Sequence, residues 1–338
     1  MNTEFHYYLT GIIARAAGFD EDEAKVIAES SEYVDENDIS LAIEDRASGD
    51  AYRNYISQTM NIFKPQRELM RIYPVFHFVP GDPMHEGARR TDGKMHLLTT
   101  TPDSEIAGRL LDEAFKASDE NRLYRIGIAT HTYADTWAHQ NFVGWYDYFN
   151  NIGLDPKPDI GHANAEHHPD WMSHRWDDVR LVYREVDNNE RFLQAGEKIY
   201  EKYRRYLGRI RRSAHSSWPA LTAMLAPVFG KSASGARNWG EEDRLPMYRD
   251  LAPWLGEFNE EEWFDGAIDT EVKGLEDKKK GIGTVYCVFR DRYFWREDAD
   301  REETHWFRFQ ESVKEHQSRA MELLKPVFDG MGLNLHDY

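Results

Sequence analysis

Cysteine is almost missing from this chain: among 338 residues there is one, Cys287. A disulfide scaffold, a four-cysteine zinc module and a CxxC redox pair are therefore excluded. Long apolar runs are missing as well. No stretch of 18 apolar residues occurs, so no transmembrane helix is expected. The N-terminus, MNTEFHYYLTGIIARAAGFDEDEA, lacks a basic region ahead of its apolar stretch and carries Glu4, so it does not read as a signal peptide. With no export signal and no disulfides, a cytoplasmic location is the expectation. Positive charge is also scarce. Lys and Arg total 42 against 60 Asp and Glu, a net charge of −18. Such a surface repels long polyanions and anionic membranes, which argues against long nucleic acid as a partner. The two dense basic stretches, 204–212 and Lys278 to Lys280, read as a solvated helix face or loop.

What is present points to a folded chain. Hydrophobic residues make up 41% and aromatics 13%, far from a disordered composition. Helical periodicity dominates. Phe5, Leu9, Ile12, Ile13 and Ala16 line one side of a helix over 3–17. A second helix, 21–34, opens on Glu21, Asp22 and Glu23, which suits the positive end of a helix dipole. Residues 64–93 and 153–170 are rich in Pro and Gly and read as loops. Further helices are expected at 103–118, 121–149, 171–187, 188–212, 217–228, 241–252, 260–268 and 301–328. Residues 282–295 are ambiguous and fit a short strand pair. The expected fold is mainly α: a multi-helix bundle around a buried multinuclear metal site, with few or no strands. The small-residue stretch 230–240 is the linker candidate. It divides a helical metal-binding catalytic domain, 1–229, from a C-terminal helical segment, 241–338, packed on it or part of the same domain.

The chemistry concentrates in GIATHTYADTWAHQNF, 127–142. His131, Asp135 and His139 are spaced by four, which puts them on one face of a helix. His131 and His139 would lie about 12 Å apart along the axis, too far for one ion. Asp135, between them, has two oxygens and can share an ion with His131 while bridging to a second; His139 would serve another ion close by. The residues around this stripe, Ile128, Ala129, Tyr133, Ala134, Trp137 and Ala138, suit a helix buried on most sides. An unpaired carboxylate is costly there, and a cation is the simplest compensation. Further candidates are His6 beside the first apolar stripe, Asp35 at the end of the second helix, and His77 between Phe76 and Phe78. His162 and Glu166 are four apart in GHANAEHHPD, with His167, His168 and Asp170 as competitors. Each of these also has a plain structural reading, as a satisfied core histidine or a capping acid.

Taken in order, His6, Asp35, His77, His131, Asp135, His139, His162 and Glu166 resemble the ligand order of the zinc-dependent phospholipase C and single-strand nuclease superfamily. The segments FHYYLTGIIARAAGF, SSEYVD, FHFVPG and HTYADTWAHQNFVG also look like an uncharacterised bacterial family of helical proteins, taken as a remote cytoplasmic branch of that superfamily. The resemblance covers residues 1–170. It implies an all-helical enzyme with a zinc cluster that cleaves phosphoesters. Asp35, His77, His131 and Asp135 would hold one zinc, His6 and a shared Asp135 a second, and His139, His162 and Glu166 a third. Secreted members of the superfamily also use the mature N-terminal amine and carbonyl as ligands. This chain begins at Met1 with no signal to cleave, so two to three ions are expected.

The expected function is a metal-dependent phosphoesterase acting on a small phosphorylated substrate through a metal-bound hydroxide, with Asp35 and Asp135 as the catalytic carboxylates. Zinc lowers the pKa of bound water from about 15.7 to about 7. Carboxylates or carbonyls should fix the imidazole tautomers, with Glu32, Glu36 and Asp38 near enough in sequence to be candidates. Two alternatives remain open: a di-zinc hydrolase of amide or ester bonds, and a non-catalytic metal-binding protein. An HD-type phosphohydrolase is rejected, because the one adjacent His-Asp pair is His336–Asp337. No G-x-S-x-G elbow occurs, and Gly230-Lys231-Ser232 lacks the leading glycine of a P-loop.

Overall fold

The structure is a computed structural model that describes residues 1–59, 66–153, 156–271 and 292–333. Ten α-helices occur among these: α1 Thr10–Ala17, α2 Glu21–Glu36, α3 Gln66–Leu69, α4 Glu105–Ala114, α5 Arg122–Ala138, α6 Asn188–Arg209, α7 Trp218–Phe229, α8 Glu241–Leu251, α9 Glu262–Ala267 and α10 His305–Gly330. Eight short strands accompany them: β1 Ala42–Glu44, β2 Ala51–Arg53, β3 Tyr146–Asp147, β4 Asp159–Ile160, β5 Arg175–Asp177, β6 Glu185–Asp187, β7 Ile268–Glu271 and β8 Arg292–Trp295.

The expectation of few or no strands is overturned. The fold mixes α and β. A four-stranded sheet runs β2-β1-β8-β7, with β1 parallel to β8 and the other pairs antiparallel. It joins a strand that follows α2 to one that precedes α10. Two further two-stranded ladders, β3-β4 and β5-β6, lie elsewhere. The reason for the misreading is length. Strands of two to four residues leave too few alternations to register as a period of two. The expected helix over 171–187 shows this best. It is a β5-β6 hairpin whose inward pair is Trp176 and Val186, with Arg175 and Asp187 paired at one end. Of the ambiguous 282–295, residues 292–295 form β8, and 282–291 lie outside the described residues, as do Lys278 to Lys280.

Helices position the site. Asp20 caps α2, accepting from the Glu23 amide while the Glu23 side chain accepts from the Asp20 amide. The α5 helix packs against α2 at unusually short range because residue 127 is glycine. A Cβ there would stand 2.5 Å from the Ile27 carbonyl oxygen and 2.5 Å from the Ser30 side chain. Buried alanines on both helices, Ala24, Ala28, Ala129 and Ala134, suit this approach. Residues 139–149 do not continue α5 as expected. Asn141 takes φ 72°, which ends the helix and turns the chain toward β3. On its far side α5 meets α10, which brings the C-terminal third against the same central helix.

Candidate metal centre

Five chain segments deliver side chains to one end of the α2-α5 contact. Two of them are single π-helical turns, Glu4–Leu9 carrying His6 and Tyr73–His77 carrying His77. Such turns widen the helix locally and re-aim a side chain, which is why they recur at functional sites. α2 supplies Asp35, and α5 supplies His131 and Asp135. His139 caps the C-terminus of α5, and the loop beyond β4 brings His162 and Asp170.

Four of the five imidazoles have one nitrogen committed. His131 Nδ1 donates to the Ser31 carbonyl at 2.8 Å and His77 Nε2 to the Ser57 carbonyl at 2.9 Å. His139 Nδ1 donates to the His77 carbonyl at 2.8 Å, and His162 Nδ1 to the Glu166 carbonyl at 2.7 Å. A neutral imidazole has one donor and one acceptor. Each ring therefore turns a bare lone pair inward. Backbone carbonyls do the work expected of Glu32, Glu36 or Asp38.

Those lone pairs converge. His131 Nε2 stands 3.1 Å from His77 Nδ1, and the two stand 3.2 and 3.3 Å from Asp135 Oδ2. Asp35 Oδ1 lies farther out, 3.7 Å from His77 and 3.8 Å from His131. Four ligands held at about 2.1 Å around a tetrahedral ion are about 3.4 Å apart. Two facing lone pairs and two carboxylate oxygens repel one another unless a cation or protons sit among them. A second group, His139, His162 and Asp170, has Asp170 oxygens 3.2 and 3.3 Å from the two Nε2 atoms. A third draws His6 together with Asp35 and His131, and His6 Nε2 lies 3.1 Å from the other Asp135 oxygen. Buried His6 Nδ1 has no partner. These clusters can hold metal ions; the donor set of imidazoles and carboxylates suits Zn²⁺ and similar divalent ions.

The charges agree. Among the described residues no lysine or arginine pairs with Asp35, Asp135 or Asp170. Among the described residues the cation that pairs with them is the α-amino group of Met1, buried 2.6 Å from Asp135 and 3.3 Å from Asp170. Burial opposes its charge, but the three aspartates raise its pKa to about 10. Burial also opposes the Asp135 and Asp170 anions, yet the surrounding imidazoles and this amine hold both well below the ordinary carboxylate range. Burial, with His131 and the amine beside it, drops His6 to about 3, so its imidazole is neutral at pH 7. The site is closed at Asp135, 1% exposed, and open at Asp35, 29% exposed.

Seven of the eight residues expected from the sequence meet here: His6, Asp35, His77, His131, Asp135, His139 and His162. Glu166 does not bring its carboxylate. Its side chain is exposed, its φ is 51°, and it offers only its backbone oxygen to His162. Residues 163–165 form a single 3₁₀ turn, so the one-turn helical spacing assumed for His162 and Glu166 does not exist. Asp170 stands in its place. The HHPD run held the signal, an acid just past Pro169, but nothing in the spacing singled it out.

The profile described as a family of unknown function, DUF6765, matches residues 1–324. This chain is a DUF6765 protein. No curated protein and no solved structure matches it. The DUF6765 match takes in every ligand candidate and nearly all of α10, so it extends well beyond residues 1–170. No described helix is long and apolar enough to cross a membrane.

Proposed function

We propose that this protein is a zinc-dependent hydrolase that cleaves a small phosphoester. The observation that carries the reading is the convergence of His77, His131 and Asp135, with the partly exposed Asp35 beside the two histidines and each imidazole locked by a backbone carbonyl so that its lone pair faces inward. The likeness to the zinc-dependent phospholipase C and nuclease superfamily adds to it. Secreted members of that superfamily use an N-terminal amine as a ligand, and here the Met1 amine lies between Asp135 and Asp170, where it would ligate once deprotonated.

Bound divalent ions would neutralise the phosphoryl oxygens and make a coordinated water acidic enough to ionise near neutral pH. The chain's own residues do the rest. Asp135 uses both oxygens, one toward His77 and His131 and one toward His6 and the amine, and so ties the groups together. Asp35, the most exposed carboxylate, orients the incoming water and receives its proton. His139 is fixed between the Phe78 ring, 4.4 Å away and stacked, and His162 at 4.8 Å, which keeps its Nε2 on Asp170. The overall negative charge favours a compact substrate over a long polyanion.

Metal analysis of the purified protein should find two to three zinc-like ions per chain, and a screen should find hydrolysis of phosphomonoesters or phosphodiesters. Substantially less than one ion per chain would end the metal reading. Hydrolysis of amides with none of any phosphoester would replace the bond but keep the centre.

A further inference from the structure

Beyond the metal centre, α2 turns a second acidic surface toward two adjoining cavities. One, of about 480 Å³, is lined by Glu32, Glu36, Glu260 and Glu261. The other, of about 610 Å³, shares Glu36, Glu260 and Glu261 and adds Asp38 and Asp265. Together they place six carboxylates along one groove. Among the described residues none of the six pairs with a lysine or arginine, and no basic residue lines either cavity. Glu36 and Glu260 lie within hydrogen-bond reach of each other.

Acids crowded together do not by themselves make a site. The second observation is Glu32. It is 2% exposed, its Oε1 accepts from the Thr3 hydroxyl at 2.5 Å, and its Oε2 is buried without a partner. A buried carboxylate oxygen in that position calls for a donor that the described protein does not supply. The third is the floor between the acids, which is aromatic: Tyr33, Trp263, Trp306 and Phe258. Tyr33 and Trp263 stack at 4.6 Å. Carboxylates take ammonium groups through charge-assisted hydrogen bonds, and ring faces take both cations and methylenes.

We propose that this groove binds a linear alkyl polyamine, with its ammonium groups on Glu32, Glu36 and Glu260 and its methylenes over Tyr33, Trp263 and Phe258. A single compact cation would satisfy one carboxylate and leave the others facing each other. A chain with several charges matches acids distributed along two joined cavities. This site does not require the metal centre.

The test is calorimetric titration of the full chain with spermidine, without added metal. Saturable binding at one site is expected. The variant Glu32→Gln/Glu36→Gln/Glu260→Gln should weaken it at least about tenfold, because each carboxylate makes a charged hydrogen bond. The control Glu190→Gln/Glu197→Gln/Glu201→Gln removes the same charge from α6 and should leave affinity within about twofold. Equal weakening in both variants, or no saturable binding, would show only diffuse attraction to an acidic protein and would overturn the site. If the first variant fails to fold, Glu260→Gln/Glu261→Gln, both exposed, still decides: a loss of several-fold supports the groove, and an unchanged affinity refutes it.

Discussion

Among the described residues two sets of histidines stack on one another, and they differ in where their lone pairs go. In the candidate metal centre His6 stacks on His131 at 3.8 Å, and His139 on Phe78, with carboxylates at every inward nitrogen. Beside Trp171 and Trp176, His168 and His174 stack at 4.9 Å with their planes 9° apart. Here one ring donates to the other, His168 Nδ1 to His174 Nε2 at 2.7 Å, and no carboxylate pairs with either. The second pair is closed: its hydrogen bond uses the facing lone pair. The first set is open: apart from His6, whose Nδ1 has no partner, its donors are spent on backbone carbonyls, and its acceptors face acceptors. Density of histidine is thus a poor guide to a metal site, and the balance of donors and acceptors is a better one.

The comparison breaks most decisively at Asp135. Asp135→Asn should remove the ions held with His77, His131 and His6 and lower hydrolysis at least about 100-fold, since it deletes the charge that those groups share while keeping the shape. Elemental analysis and a rate assay on the same sample check this. Retention of both ions and activity would make the α5 stripe structural. The matching change in the closed pair, His168→Phe, should leave metal content untouched.

Chelation comes next. Removing ions that bind the folded state at about 100 times their Kd withdraws about 2.7 kcal/mol. The melting temperature should fall after dialysis against a chelator and recover on adding Zn²⁺. No change would mean that the lone pairs are neutralised by protons rather than metal.

A sharper cut separates Asp170 from Glu166. Asp170→Asn should lose about one ion per chain, while Glu166→Gln should lose none. The reverse result would reassign the His139–His162 group to the residue that the spacing favoured.

The smallest effect belongs to the closed pair. Burial, with His168 beside it, lowers the pKa of His174 from 6.5 to about 4. Between those values the unfolded chain binds more protons than the folded one, so stability contributed here is present above about pH 6.5 and declines as pH falls toward 4. His174→Gln should flatten that decline, with a difference of about 2 °C in melting temperature between pH 7 and pH 5. An unchanged pH dependence would place the acid sensitivity elsewhere.

Much of the centre was legible because its residues come in helical steps. His131 and Asp135 sit four apart on a helix that is apolar on its other faces, and Asp35 opposes the dipole of α2. Those patterns need only the helix period and the cost of a buried charge. The composition likewise excluded a disulfide scaffold, and its acidity sets the character of the surface. Tertiary structure alone decided the rest. The tautomers depend on Ser31, Ser57 and His77 carbonyls that reach across the fold and on the nearby Glu166 carbonyl, and a carbonyl carries no sequence signature. Asp170 rather than Glu166 faces His162 because the chain there makes a 3₁₀ turn and then a left-handed residue, which no side-chain spacing encodes. The sheet joins β1 to β8 across more than two hundred residues, and such pairings are fixed by packing of the whole chain, not by the three or four residues that form each strand.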